Sequence, residues 1–217
     1  QVKSQTDSGF VIETSQGTNH CESLVVATGG LSIPTLGGSG FGYELAEQFG
    51  HHVFPTRAGL VPFTFSDHFK EVTTRLSGNA LDATLINDRH QFTEALLFTH
   101  RGLSGPSSLQ LSNYWHVGES FNIDFFPSQD LAQFFKEKKK AQPKVLLRTL
   151  LNKFTAKSIV LELQQLIWAE QSETAIGNIS DLQLEQIAAQ LHAFIVKPSG
   201  TEGYRTAEVT LGGVDTS

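Results

Sequence analysis

The sequence contains no methionine and a single cysteine in 217 residues. One thiol, Cys21, forms no internal disulfide, and no second cysteine exists for a zinc cluster or a dithiol redox pair. Cys21 precedes the apolar run Leu24-Val25-Val26-Ala27, so an inert thiol in a reducing cytoplasm is the expectation. No apolar stretch approaches the ~18 residues of a membrane helix, and no membrane partner is expected. Basic charge is scarce: 16 Lys and Arg stand against 22 Asp and Glu, a formal charge of -6. That balance weighs against a polyanion, so no nucleic acid is expected as partner. The dense basic run at residues 136–140 includes Glu137 and lies in a polar helical stretch. It reads as a solvated helix face, with a docking patch as the alternative. His51-His52 has no carboxylate or thiol at ligand spacing, so no metal site is expected. Neither HExxH nor GxSxG occurs.

What is present describes a folded protein, 39% apolar and 18% charged. Phe10, Ile12 and Thr14 alternate with Val11 and Glu13 as a strand does, and residues 15–19 supply a turn. Residues 24–27 are continuously apolar, as in a parallel strand covered on both faces, and Thr28-Gly29-Gly30 ends the run. A glycine-rich loop at residues 37–42 leads into a short helix that stops at Gly50. From about Leu60 the texture is of strands: residues 60–63, residues 72–76, the alternation Leu81, Ala83, Leu85, a turn at Asn87-Asp88, and Phe121, Ile123, Phe125. An antiparallel sheet or small barrel is the expectation. Between residues 128 and 195 helical stripes take over, among them Ile159, Leu163, Leu166 and, behind a capping box of Ser180 and Gln183, Leu184, Ile187, Leu191. Residues 207–211 return to strand. The fold class expected is α/β with nested insertions, in which the chain after Ile195 rejoins the sheet it left near Phe126.

Three constellations carry chemistry. Thr28-Gly29-Gly30, after a strand, lets backbone approach a ligand without an intervening Cβ, although such a pair also makes a plain tight turn. The 37–42 loop could cradle a phosphate at a helix start, or serve only as a connector. The segment Thr99-His100-Arg101-Gly102-Leu103-Ser104-Gly105-Pro106 aims a histidine, an arginine and free amides near the start of a helix at Pro106. A structural turn remains an equal reading of it.

Residues 25–34 together with 37–43, residues 97–106 and residues 207–214 resemble, in order, three motifs of the YhiN/BaiN-like (HI0933-like) family of bacterial flavoproteins, described as NAD(P)/FAD-dependent oxidoreductases. The resemblance implies a protein of nearly twice this length, with a glycine-rich fingerprint before residue 1 and a second flavin-contacting segment after residue 217. This chain is then an interior fragment, inactive and colourless alone. The implied domains are 1–58, part of a Rossmann-like FAD-binding domain; 59–127, a β domain; 128–195, a helical insert; 196–209, the β domain again; and 210–217, the return to the FAD-binding domain. Implied cofactor contacts are Val2, Thr28, Gly29, Gly30, Gly212, Gly213 and Val214, and the family-specific loop contributes His100, Arg101 and Ser104. Phe41 departs from the family pattern, which puts a polar contact from its loop in doubt. The implied activity is FAD reduced by NAD(P)H and reoxidised by an unknown small-molecule acceptor. A redox-inactive scaffold, or a module binding a macromolecular partner, is the alternative.

Overall fold

A computed structural model describes residues 1–6 and 9–217. Strands β1 (Val2–Thr6), β2 (Gly9–Thr14) and β3 (Gly17–Cys21) form an antiparallel sheet in that order. The turn between β2 and β3 is tighter than residues 15–19: Thr14 pairs with Gly17 and its hydroxyl donates to the Gly17 carbonyl at 3.0 Å.

Residues 24–27 correct an expectation. They lie in no strand, and Val25 and Val26 are 84% and 49% exposed. A parallel strand needs neighbours on both edges for its amides and carbonyls, and no described strand pairs with this run. Every pairing among the described strands is antiparallel, so the described residues form no parallel, Rossmann-like sheet. The expected short helix is present as α1 (Phe41–Gln48), ended by Gly50 at φ +81°. Strand β4 (Val53–Gly59) follows.

The centre of the molecule is a seven-stranded sheet. It comprises β5 (Phe63–Thr64), β6 (Ala80–Ile86), β7 (Gln91–Thr99), β8 (Gly102–Ser104), β9 (Phe121–Asp124), β10 (Phe194–Val196) and β11 (Gly200–Thr201). Their order is β10-β9-β6-β7-β8-β5-β11. The alternation at Leu81, Ala83 and Leu85 lies in β6, which returns through Asn87-Asp88 into β7, Ile86 opposite Gln91. Residues 60–63 were expected to be extended throughout; instead Leu60 turns at φ +45° and only Phe63 and Thr64 pair. Residues 72–76 are a second correction, for they belong to helix α2 (His68–Arg75) and its cap. Phe69, Val72, Thr73 and Leu76 are all buried, a helical spacing concealed by the β-branched run Val72-Thr73-Thr74. Asp67 caps α2 by accepting from the Phe69 amide at 3.1 Å.

Pro106 opens α3 (Pro106–Ser112) as expected, with Gly105 rather than Ser104 at the cap position. Helices α4 (Leu131–Ala141), α5 (Leu147–Leu151), α6 (Lys157–Ile167) and α7 (Asp181–His192) then pack together, α7 behind the expected capping box of Ser180 and Gln183. From α7 the chain rejoins the sheet where it left: Phe194 pairs with Ile123 and Val196 with Phe121. Strand β12 (Val209–Val214) closes the chain by pairing with β4. One apolar core joins the sheet to the helices, running from Phe63 and Phe98 through Phe135 to Leu191.

Both tryptophans are buried, but differently served. Trp115 Nε1 donates to the Glu119 carbonyl at 2.9 Å, whereas Trp168 Nε1 has no partner among the described residues. Trp115→Phe orphans a carbonyl, while Trp168→Phe removes an unsatisfied donor. Urea unfolding is therefore expected to show Trp115→Phe the more damaging by about 1 kcal/mol.

Candidate functional site

Helix α1 packs beside the coil of residues 23–30 and the end of β12, leaving a cavity of about 530 Å³. Thr28, Gly29 and Val214 line it, opposite Tyr43 and Phe49. The size falls within the range of small-molecule pockets, about 300–1,000 Å³. Val2 lines a neighbouring cavity of about 250 Å³ that shares Thr28. Among the described residues no lysine or arginine borders the larger space, and Phe10, Leu24, Val26 and Leu45 make much of its wall apolar. Such a lining suits a flat, uncharged ring, with Thr28, Tyr43 and His51 as its polar members.

The other three glycines act by letting backbone close up. A Cβ on Gly30 would lie 2.8 Å from Thr210 Oγ1 and 2.9 Å from Tyr43 Oη. Gly212 sits at φ +82° in the irregularity between Leu211 and Gly213, where a Cβ would strike the Pro55 carbonyl. Gly213, at φ +111°, packs under the Tyr43 ring.

The segment from Thr99 to Pro106 lies elsewhere, at the turn between β7 and β8. Thr99 Oγ1 closes that turn by accepting from the amides of Arg101 and Gly102, at 3.3 and 3.1 Å. His100 is exposed at its tip, and its carbonyl accepts from Thr74 Oγ1 at 3.2 Å. Arg101 reaches Glu202, Nη1 to Oε2 at 3.3 Å, and Arg205 approaches the same oxygen at 3.6 Å. Two guanidinium groups thus share one largely buried carboxylate and leave a net positive charge. Ser104 ends β8, roughly 10 Å along the strand from Arg101. Among the described residues no hydrogen bond joins Ser104 to His100 or Arg101, so the three do not form one catalytic cluster.

The segment carrying Glu202 links the two places. Glu202 N donates to the Pro62 carbonyl at 3.0 Å, and two residues on the Tyr204 carbonyl accepts from Ile33 N at 2.8 Å. Thr210 Oγ1 accepts from Leu31 N at 3.0 Å and lies 3.2 Å from Ser32 Oγ. Tyr204 Oη and Thr206 Oγ1 are buried with no hydrogen-bond partner among the described residues. Sequence reasoning missed Glu202, Tyr204, Thr206 and Thr210. The available signal was an acid before a glycine inside a short polar run at residues 199–206.

Fold and site together define an antiparallel β domain with helices packed on it, bordering a cavity of small-molecule size. Residues 57–209 match the family described as HI0933-like protein barrel and H2TH domain, and the chain belongs to that family. It is similar to the ribosomal RNA dihydrouridine synthase of Escherichia coli (strain K12), 46% identical over 97% of this chain and 52% of the relative. The ribosomal RNA dihydrouridine synthase of Haemophilus influenzae is 44% identical over 95% of this chain and 51% of the relative. A 3-dehydro-bile acid delta(4,6)-reductase of Clostridium scindens is 24% identical over 96% of this chain and 53% of the relative. The chain spans about half the length of these curated relatives.

These likenesses overturn two expectations. An oxidoreductase with an unknown small-molecule acceptor, and its scaffold alternative, give way to relatives named for modifying ribosomal RNA. The expected absence of a nucleic-acid partner falls with it. Net charge misled because it sums the whole surface and does not say where the cations stand. Among the described residues no helix is long and apolar enough to cross a membrane.

Proposed function

We propose that this chain is the barrel-bearing part of a ribosomal RNA dihydrouridine synthase, acting in the cytoplasm on uridine within RNA. The observation that carries the reading is identity of 46% and 44% across nearly the whole chain to two proteins so named. The reaction adds two hydrogens across the uracil C5–C6 double bond: a hydride to C6 and a proton to C5. FAD is the proposed cofactor, supplying the hydride when bound and itself reduced by NAD(P)H.

The residues present fit one end of that group. The apolar cavity beside Thr28, Gly29 and Val214 would take the adenine ring, with Val2 near it, while Gly30, Gly212 and Gly213 hold the surrounding backbone close. In this reading residues 1–58 and 210–217 belong to a Rossmann-like cofactor domain. The run at residues 24–27 would then lie beside the cofactor, as coil on the cavity wall. Residues 59–127 and 196–209 form the β domain, and 128–195 its insert.

On the substrate side, Arg101, oriented by Glu202, would hold a phosphate or a uracil carbonyl, and exposed His100 would deliver the proton. Ser104 supports the loop from the end of β8. The test is made on the full-length protein with unmodified ribosomal RNA and NADH or NADPH, followed by nucleoside mass spectrometry. Wild-type protein is expected to form dihydrouridine. Arg101→Ala should slow it on the order of tenfold or more, the loss of one charge-assisted contact, with an unchanged circular dichroism spectrum. Equal rates for the two would remove Arg101 from the site.

A further inference from the structure

Half of the chain's lysines and arginines fall in one stretch. Residues 136–157 hold eight basic side chains and one acid, Glu137, in a chain whose net charge is -6. The structure shows what becomes of them. Glu185 meets Lys136 at 2.5 Å, Asp181 meets Lys139 at 2.6 Å and Glu173 meets Arg148 at 2.5 Å. Among the described residues no salt bridge reaches Lys140, Lys144, Lys153 or Lys157.

The end of α4 and the start of α7 enclose a groove of about 420 Å³, lined by Lys136, Lys139, Lys140, Pro143, Gly177 and Asp181. Its floor is held firmly. Gly177 N donates to the Pro143 carbonyl and Ile176 N to the Val145 carbonyl, both at 2.8 Å. A Cβ on Gly177 would lie 2.8 Å from Pro143, so the two segments are in direct contact. Lys139 above all, with Lys136 and Lys140 adding to it, holds the Asp181 carboxyl below its ordinary value, and all three lysines line the groove with it.

We propose that this groove, with Lys140 and Lys144 at its edge, docks the phosphodiester backbone of the RNA substrate; this rests on the synthase reading above. Phosphate is the fitting occupant because three of the six lining residues are lysines and none is aromatic. Protein–protein interfaces have the opposite character, being depleted in lysine and built around aromatic side chains. The pairs to Asp181 and Glu185 are partly exposed and screened by water, so a phosphate displaces those carboxylates at little cost. Each lysine–phosphate contact releases a counterion, which makes the docking readable as a salt dependence.

The experiment uses the full-length protein and a labelled transcript of ribosomal RNA, with fluorescence anisotropy across a salt series. Lys140→Gln/Lys144→Gln is expected to weaken binding on the order of tenfold at about 100 mM salt and to flatten the slope of log K against log salt by roughly 1.5–2. Lys70→Gln/Lys197→Gln, exposed lysines elsewhere, should bind as the wild type does. Unchanged affinity and slope in the Lys140/Lys144 variant overturn the proposal. Dihydrouridine is measured in the same samples. A flattened slope with no dihydrouridine from any version would sink the synthase reading and leave the groove as an RNA surface. Dihydrouridine formed at wild-type affinity by the Lys140/Lys144 variant would sink the groove and leave the synthase reading.

Discussion

Truncating Phe63 to alanine is expected to lower the unfolding free energy by about 3–5 kcal/mol. Phe63 is fully buried in β5, a strand of only two residues, and so depends on packing more than on ladder bonds. Its ring meets Trp115 edge-on at 5.3 Å and Phe121 at 4.9 Å. Those partners come from the loop after α3 and from β9, so one side chain joins three parts of the core. Neither aromatic neighbour can fill the space, because Trp115 is tethered through its indole N–H and Phe121 is paired to Val196. Urea unfolding monitored by circular dichroism reads the loss. A change below about 1 kcal/mol would mean that the sheet can close around the gap.

Gly105→Ala is expected to cost a comparable amount, on the order of 3–5 kcal/mol, for a different reason. Gly105 has φ +87° and ψ 163°, a region essentially restricted to glycine. A Cβ there would lie 2.6 Å from the Ala95 carbonyl oxygen and 2.8 Å from Leu97 N. Both are backbone atoms of β7 and cannot rotate aside as a side chain would. Relief requires β8 and α3 to move off β7, which breaks the pairing of Leu97 with Ser104. The same urea measurement checks it. Gly118→Ala makes the control: φ is also positive, but nothing lies within 4 Å, so only the backbone strain of about 1–2 kcal/mol remains.

The parts of the fold legible from sequence are those whose signal is local. The β6–β7 hairpin shows in two-residue alternation around Asn87-Asp88, and α7 in its capping box. The pairing of β10 with β9 followed from treating the helices as an insertion. Helix α2 was obscured because Val72-Thr73-Thr74 favours strand by side-chain branching, while burial at Phe69, Val72 and Leu76 chose the helix. Residues 24–27 carry the composition of a covered parallel strand, and composition cannot supply the neighbours such a strand needs.

The candidate site divides in the same way. Thr28 and Gly29 carry a local sign, glycine after an apolar run, whereas Val214 entered only through the family resemblance; all three line one cavity. Glu202 carries only the weak sign of an acid before a glycine in a polar run. Its importance lies in a contact with Arg101, 101 residues away in the chain, and with Arg205 nearby. The expectation of no nucleic-acid partner came from arithmetic, and an acidic total conceals the lysines gathered at residues 136–157.

The central claim, that this chain belongs to an enzyme reducing uridine in ribosomal RNA, has one direct measurement. Ribosomal RNA is isolated from the source cells, from cells lacking the gene and from those cells carrying the full-length gene again, then digested to nucleosides and weighed by mass spectrometry. The account predicts dihydrouridine in the first RNA, its loss in the second and its return in the third. Dihydrouridine present at the same level in all three would contradict it.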